Sequence, residues 1–152
     1  MTLTRTDNPE EIKSFLKGDG IRKLASGSAY RQTSNSDIDR TVKDNSNVLL
    51  MVEDSGIKLG WIAFLYSGVQ GMYAIHVCLK TLGNKTKQAI QKAINYIKLF
   101  GASEIIAVYP KTRESLNRLT DVLGFKLDVD SLDRFSYPAF EELIGKKLTL
   151  RN

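Results

Sequence analysis

The chain is 152 residues long, which suits one domain with a real hydrophobic core, spanning residues 1–152. Hydrophobic residues make up 42% and charged residues 26%, the balance of a soluble globular protein, and no apolar run is long enough to span a bilayer. The net charge of +5 comes from scattered Lys and Arg, so solubility explains it better than a nucleic-acid-binding face. Cys78 is the lone cysteine, which excludes an intramolecular disulfide. With no signal-peptide pattern at the start, the expectation is a cytoplasmic protein.

Residues 3–6 read as a short first strand. Asp7-Asn8-Pro9-Glu10-Glu11 then carries a helix start: a capping side chain, an early proline and acids in the first turn. Ile12, Phe15 and Leu16 give that helix an apolar face ending near Gly18. A second short helix is expected at 21–25, a polar loop at 26–36, and a brief helix from Ser36-Asp37 through Val42. Residues 48–53 and Ile57–Tyr66 are strand-like runs separated by Asp54-Ser55-Gly56, a hairpin signal. Gly68 and Gly71 turn the chain into a third strand at Met72–Leu79, completing an antiparallel meander.

The period then changes. Ala89, Ile90, Ala93, Ile94, Ile97 and Phe100 recur at helical spacing, and Gly101 stands where a left-handed helix end belongs. Residues 105–108 are a β-branched run typical of a buried strand. Leu116, Leu119, Val122 and Leu123 form the next helix, ended by Gly124. Strands at 125–129 and 148–150, with a helix at 138–144 between them, are expected to close the fold.

A strand that passes through a short polar turn onto a helix start is suited to binding phosphates. The first backbone N–H groups of the helix lack partners within it, and its dipole favours anions there. The residues concerned are Gly83, Asn84, Lys85, Thr86, Lys87 and Gln88, two of them cationic. His76 on the third strand is the sole histidine and can take up a proton near neutral pH; packing is the alternative role for it. Tyr73 and Tyr109 are further candidates, although strand tyrosines commonly pack. The sequence has no Cys-x-x-Cys pair, no His-Glu-x-x-His and no second histidine, which argues against a protein-built zinc site. It also lacks a Walker-type loop and the context for a serine nucleophile.

The meander, phosphate turn, long helix, strand and helix ending in Leu-Gly-Phe resemble the GNAT fold of acetyl-CoA-dependent N-acetyltransferases. The likeness covers nearly the whole chain and is sharpest at 72–125. Ile75-His76-Val77 and the run from Tyr109 to Phe125 look most like the divergent acetyltransferase-like proteins of tailed phages. The resemblance implies an α/β (α+β) domain: a central mixed, mostly antiparallel sheet flanked by helices, with a parallel pair formed by strands 72–79 and 103–109. It further implies acetyl-CoA lying between those strands and an amine acceptor. Its pyrophosphate would rest on residues 83–88, its thioester carbonyl would be polarised by the N–H of Val77 or Leu79, and His76 would be the nearest general base.

The chain also departs from that pattern. Lys85 and Lys87 stand where the family has small loop residues, and Leu82 where it has a basic residue or Gln. Thr120 occupies the place of the tyrosine that protonates the departing thiolate, and a threonine hydroxyl is too weak an acid for that role. Arg113 replaces the asparagine that opens the helix; it either pairs with cofactor phosphates or is a solvated charge. Two functions follow: transfer of acetyl to an amine, or a catalytically inert module of the same fold that binds other phage proteins in the virion or in head assembly.

Overall fold

The computed structural model describes residues 1–16, 34–80, 83–134 and 142–150. Its centre is a seven-stranded sheet of β1 (Thr2–Arg5), β2 (Val48–Asp54), β3 (Ile57–Tyr66), β4 (Met72–Leu79), β5 (Glu104–Pro110), β6 (Lys126–Leu127) and β7 (Leu143–Thr149), in the order β1-β2-β3-β4-β5-β7-β6. Every neighbouring pair is antiparallel except β4 and β5, which are parallel. The helices are α1 (Pro9–Lys13), α2 (Asn35–Lys43), α3 (Asn84–Lys98), α4 (Glu114–Val122) and α5 (Asp130–Arg134). The expected mixed, mostly antiparallel architecture is therefore observed.

Period-two alternation divides the core between the two faces of the sheet. Val48, Leu50 and Val52 of β2 join Ile62 and Phe64 of β3 in a cluster that includes Ala89, Ile90, Ala93, Ile94 and Ile97 of α3. Leu49 and Met51, with Trp61 and Ala63, face the other way, against Ile12, Phe15, Leu16, Ile38 and Val42 from the α1 and α2 side. Both faces of β2 and β3 are thus covered, which is why these strands read as nearly continuous apolar runs.

The local signals act as expected. Asn8 Oδ1 accepts the Glu10 N–H at 3.1 Å, with Pro9 opening α1. Ser34, rather than Ser36, caps α2, its Oγ accepting the Asp37 N–H at 3.1 Å. Ser55 (φ 53°) and Gly56 (φ 80°) form the tight turn between β2 and β3. Gly60 permits a close approach of β3 to β4: it has φ +142°, and a Cβ there would lie 1.9 Å from the Cys78 carbonyl oxygen of β4.

The C-terminal third corrects the sequence reading. Instead of a helix at 138–144, Leu143 and Ile144 open β7, which pairs with β5 from Glu104↔Thr149 to Pro110↔Leu143. Two consecutive lysines, Lys146 and Lys147, break the apolar pattern of this strand, and its order comes from partners on both sides. The strand expected at 125–129 is confined to Lys126–Leu127 at the sheet edge, and α5 follows where no helix was expected. The expected helix at 21–25, most of the loop at 26–36, the helix end near Gly18, Leu82 and the first part of the 138–144 segment lie outside the described residues. No helix among the described residues is long and apolar enough to cross a membrane.

Candidate active site

The parallel pairing of β4 with β5 runs only over Met72↔Glu104, Tyr73↔Ile105 and Ala74↔Ile106. Beyond it the two strands separate, while β4 stays paired with β3 as far as Leu79 and β5 with β7 as far as Pro110. The middle of the sheet therefore opens into a wedge. A cavity of about 110 Å³ occupies it, walled by Ile75, Val77, Ala107 and Tyr109 of the strands and by Leu116 and Thr120 of α4, among others.

Backbone direction follows from alternation. The Met72 carbonyl accepts from Ser67 N–H at 3.1 Å, and the Lys80 N–H donates to the Leu59 carbonyl at 2.8 Å, so even-numbered residues of β4 bond toward β3. The Ile75 N–H closes the last parallel bridge, and those of Val77 and Leu79 then point toward the side that β5 has left. The side chains of Val77 and Leu79 are half-buried and pack on the α3 cluster. His76 projects to the opposite face, two residues from Cys78 and opposite Ala63 in the β3 register, and also lines the cavity. Burial pushes the Cys78 thiol up to about 11, with Lys80 acting weakly in the other direction.

In the chain, β4 ends at Leu79 and α3 begins at Asn84. Gly83 is its N-cap, with φ 72° and ψ −137°, a conformation suited to glycine, and no side chain caps the helix. No acid occupies the first turn. Gly83, Asn84, Lys85 and Gln88 are exposed, and Thr86 and Lys87 are half-buried. Lys85 forms a salt bridge with Asp54 at 2.9 Å, and the hydrogen bond and charge of Lys85 hold the Asp54 carboxyl below its usual range. Arg113 is the N-cap of α4, half-buried and without a side-chain capping bond, so it opens this helix as the sequence suggested.

Thr120 is buried and lies at the centre of a polar network that sequence reasoning missed. Its Oγ1 is 3.0 Å from the Tyr109 hydroxyl, donates to the Leu116 or Asn117 carbonyl at 2.9 or 3.1 Å, and accepts from Lys146 Nζ at 2.8 Å. Tyr109 donates to Asn117 Oδ1 at 2.7 Å. Lys146, only 3% exposed, also donates to Asp121 Oδ1 at 2.8 Å. Burial acts against its ammonium, but hydrogen bonds and charge from Asp121 and Tyr109 outweigh this and raise its pKa. Only the pairing of β7 with β5 brings Lys146 here, 26 residues beyond Thr120. Tyr73, in contrast, packs on Tyr66 with ring centroids 5.7 Å apart. Among the described residues no group of His, Cys, Asp or Glu is placed to hold a metal ion.

No protein-family model and no curated protein sequence matches the chain. Solved structures do. A spermidine N-acetyltransferase from Vibrio cholerae, in complex with CoA and spermine, superposes with a TM-score of 0.74 at 13% identity, over 97% of this chain and 94% of that one. The GNAT domain of S. lividans PAT gives 0.71 at 13% identity, over 97% and 89%. An N-acetyltransferase from Staphylococcus aureus Mu50 gives 0.69 at 18% identity, over 99% and 98%. The strand order, the opened parallel pair and these superpositions together establish that the chain has the GNAT fold.

Proposed function

We propose that the protein is an acyl-CoA-dependent N-acyltransferase that transfers acetyl to an amine. The observation that carries this reading is the wedge, and the start of α3 that follows β4 in the chain supports it with a second set of donors. At its apolar end the N–H groups of β4 face the opening. Beyond β4 in the chain, α3 begins without a side-chain cap, behind a glycine and with Lys87 in its first turn. Apolar walls suit the extended arm of coenzyme A, and the helix start with its cations suits the phosphates, so the residues present fit acetyl-CoA. Gly83, Asn84, Lys85, Thr86, Lys87 and Gln88 would hold the phosphates, with Arg113 available from the start of α4.

When bound, the thioester supplies an activated acyl group. The protein's own contribution is positioning and polarisation. The N–H of Val77 or Leu79 stabilises charge that develops on the carbonyl oxygen, and the wedge orients the carbonyl for attack by the amine. His76, on the face of β4 opposite α3, takes the amine's proton directly or through water. The spermine and CoA held by the Vibrio neighbour make polyamines a reasonable first acceptor to assay.

Calorimetric titration with acetyl-CoA and coenzyme A, followed by an acetylation assay over a panel of polyamines and peptide amines, tests the reading. Saturable binding and acetyl transfer are expected. Absence of both at millimolar ligand would overturn it.

A further inference from the structure

A buried lysine is costly unless its charge is used, because transfer of an ammonium out of water carries a penalty of several kcal/mol. Lys146 is buried on β7, between β5 and the edge strand β6, yet its partner Asp121 is 69% exposed, so the pair has one end in solvent and the other inside the protein. From the inner end a line of polar contacts runs from Lys146 Nζ to Thr120 Oγ1 at 2.8 Å and on to Tyr109 OH at 3.0 Å, within reach of a hydrogen bond once either hydroxyl turns. Both Thr120 and Tyr109 line the wedge cavity. The line therefore joins solvent, at Asp121, to the place where the proposed function puts the thioester.

Resting on the acyltransferase reading, we propose that Tyr109 donates the proton to the departing thiolate, and that Lys146 and Thr120 are the positioning residues that restore it. The amine nitrogen forms a bond to the thioester carbon, the carbon–sulfur bond breaks, and its electron pair leaves on sulfur. Tyr109 gives its hydroxyl proton to that sulfur and becomes a phenolate. Thr120 passes its proton to the phenolate and takes one from the Lys146 ammonium, which is reprotonated from solvent beside Asp121. The amine nitrogen loses one proton to His76, directly or through water, and His76 releases it to solvent, so each turnover moves one proton from nitrogen to sulfur overall. In the resting arrangement the Tyr109 proton lies toward Asn117 Oδ1, and rotation about the C–O bond turns it to the cavity.

The groups facing this line are few. Asp121 and Thr120 come from α4 and Tyr109 from β5, its ring centroid 5.7 Å from Nζ. The register neighbours of Lys146, Ala107 on β5 and Leu127 on β6, carry no charge, and His76 lines the cavity from β4.

The test compares Tyr109→Phe, Lys146→Met, Thr120→Val and the double variant Tyr109→Phe/Lys146→Met, using purified full chain, acetyl-CoA and the best acceptor found for the wild type. Tyr109→Phe is expected to lower kcat about 100-fold and Lys146→Met about 10-fold. The KM for the acceptor and the coenzyme A affinity by calorimetry should stay near wild type. The double variant should be no slower than Tyr109→Phe alone, because the lysine acts only through the tyrosine. Thr120→Val breaks the line but leaves the Lys146–Asp121 pair, so it carries the test should Lys146→Met fail to fold, and it too should lose about 10-fold in kcat. Wild-type kcat in Thr120→Val or in folded Lys146→Met, or losses that multiply in the double variant, would overturn the proposal while leaving the acyltransferase reading intact. A wild-type protein that neither binds nor turns over acetyl-CoA removes both.

Discussion

Filling the wedge should separate stability from ligand binding. Ala107 is 7% exposed, faces α3 and α4, and lines the cavity of about 110 Å³. At about 24 cal/mol per Å³, an unfilled volume of that size corresponds to about 2.6 kcal/mol of withheld packing, an upper bound for a site open to solvent. Ala107→Leu recovers part of this, while forcing a larger side chain between strands costs about 1–3 kcal/mol. The two nearly cancel, and at roughly 2–4 °C per kcal/mol the melting temperature should move by no more than about 4 °C either way. On the proposed function the same side chain would block the path of the coenzyme A arm, so coenzyme A affinity should fall at least about 100-fold, or about 2.7 kcal/mol. Differential scanning fluorimetry reads the first quantity and isothermal titration calorimetry the second. Wild-type affinity in a folded Ala107→Leu protein would show that the wedge is not the binding site. A collapse of the melting temperature would show that the cavity is not usable space.

Other outcomes follow from single contacts. Lys85→Gln/Lys87→Gln should weaken coenzyme A binding about 10-fold and flatten its dependence on salt; the Lys85–Asp54 pair is exposed on the lysine side, so the melting temperature should barely change. Gly60→Ala puts a Cβ into the Cys78 carbonyl and should cost about 3–5 kcal/mol in urea unfolding, with β3 and β4 losing register. With its pKa pushed up to about 11, Cys78 should resist alkylation at pH 8 in the native protein and react readily in denaturant. His76→Gln should depress kcat with coenzyme A affinity preserved, and the wild-type rate should rise with pH through one ionisation; unaltered turnover would return His76 to a packing role.

Residues 48–123 were largely legible in the sequence because local and tertiary signals agree there. The Asp54-Ser55-Gly56 turn, the helical spacing from Ala89 to Ile97 and Gly101 at φ +84° all specify what the sheet also requires. After Gly124 they diverge. Leu-Ile-Gly-Lys-Lys-Leu-Thr looks like neither a clean strand nor a clean helix, and pairing with β5 and β6 decides it. That divergence also hid part of the site. Thr120 was legible by its count from Gly124, and Tyr109 by its place at the end of a buried run. Lys146 read as an ordinary charge, since nothing local shows that strand pairing carries it beneath α4. The uncapped start of α3 behind Gly83, to which the proposed phosphate role is assigned, was visible because it depends on where a helix begins, whatever side chains follow.

The three-residue junction of β4 and β5 also bears on how the protein moves. The meander β1–β4 and the trio β5–β7–β6 are two strongly paired half-sheets whose direct backbone joint is limited to Met72–Ala74 against Glu104–Ile106. Amides of Val77 and Leu79 are central in strand order yet lie along an internal edge, so they should exchange with deuterium like rim amides while their neighbours bonded to β3 stay protected. A molecule that bonded to this edge would act as an eighth strand set inside the sheet rather than beside it, stapling the halves together. Slowed exchange at these amides would then report occupancy even for an acceptor that is never acylated.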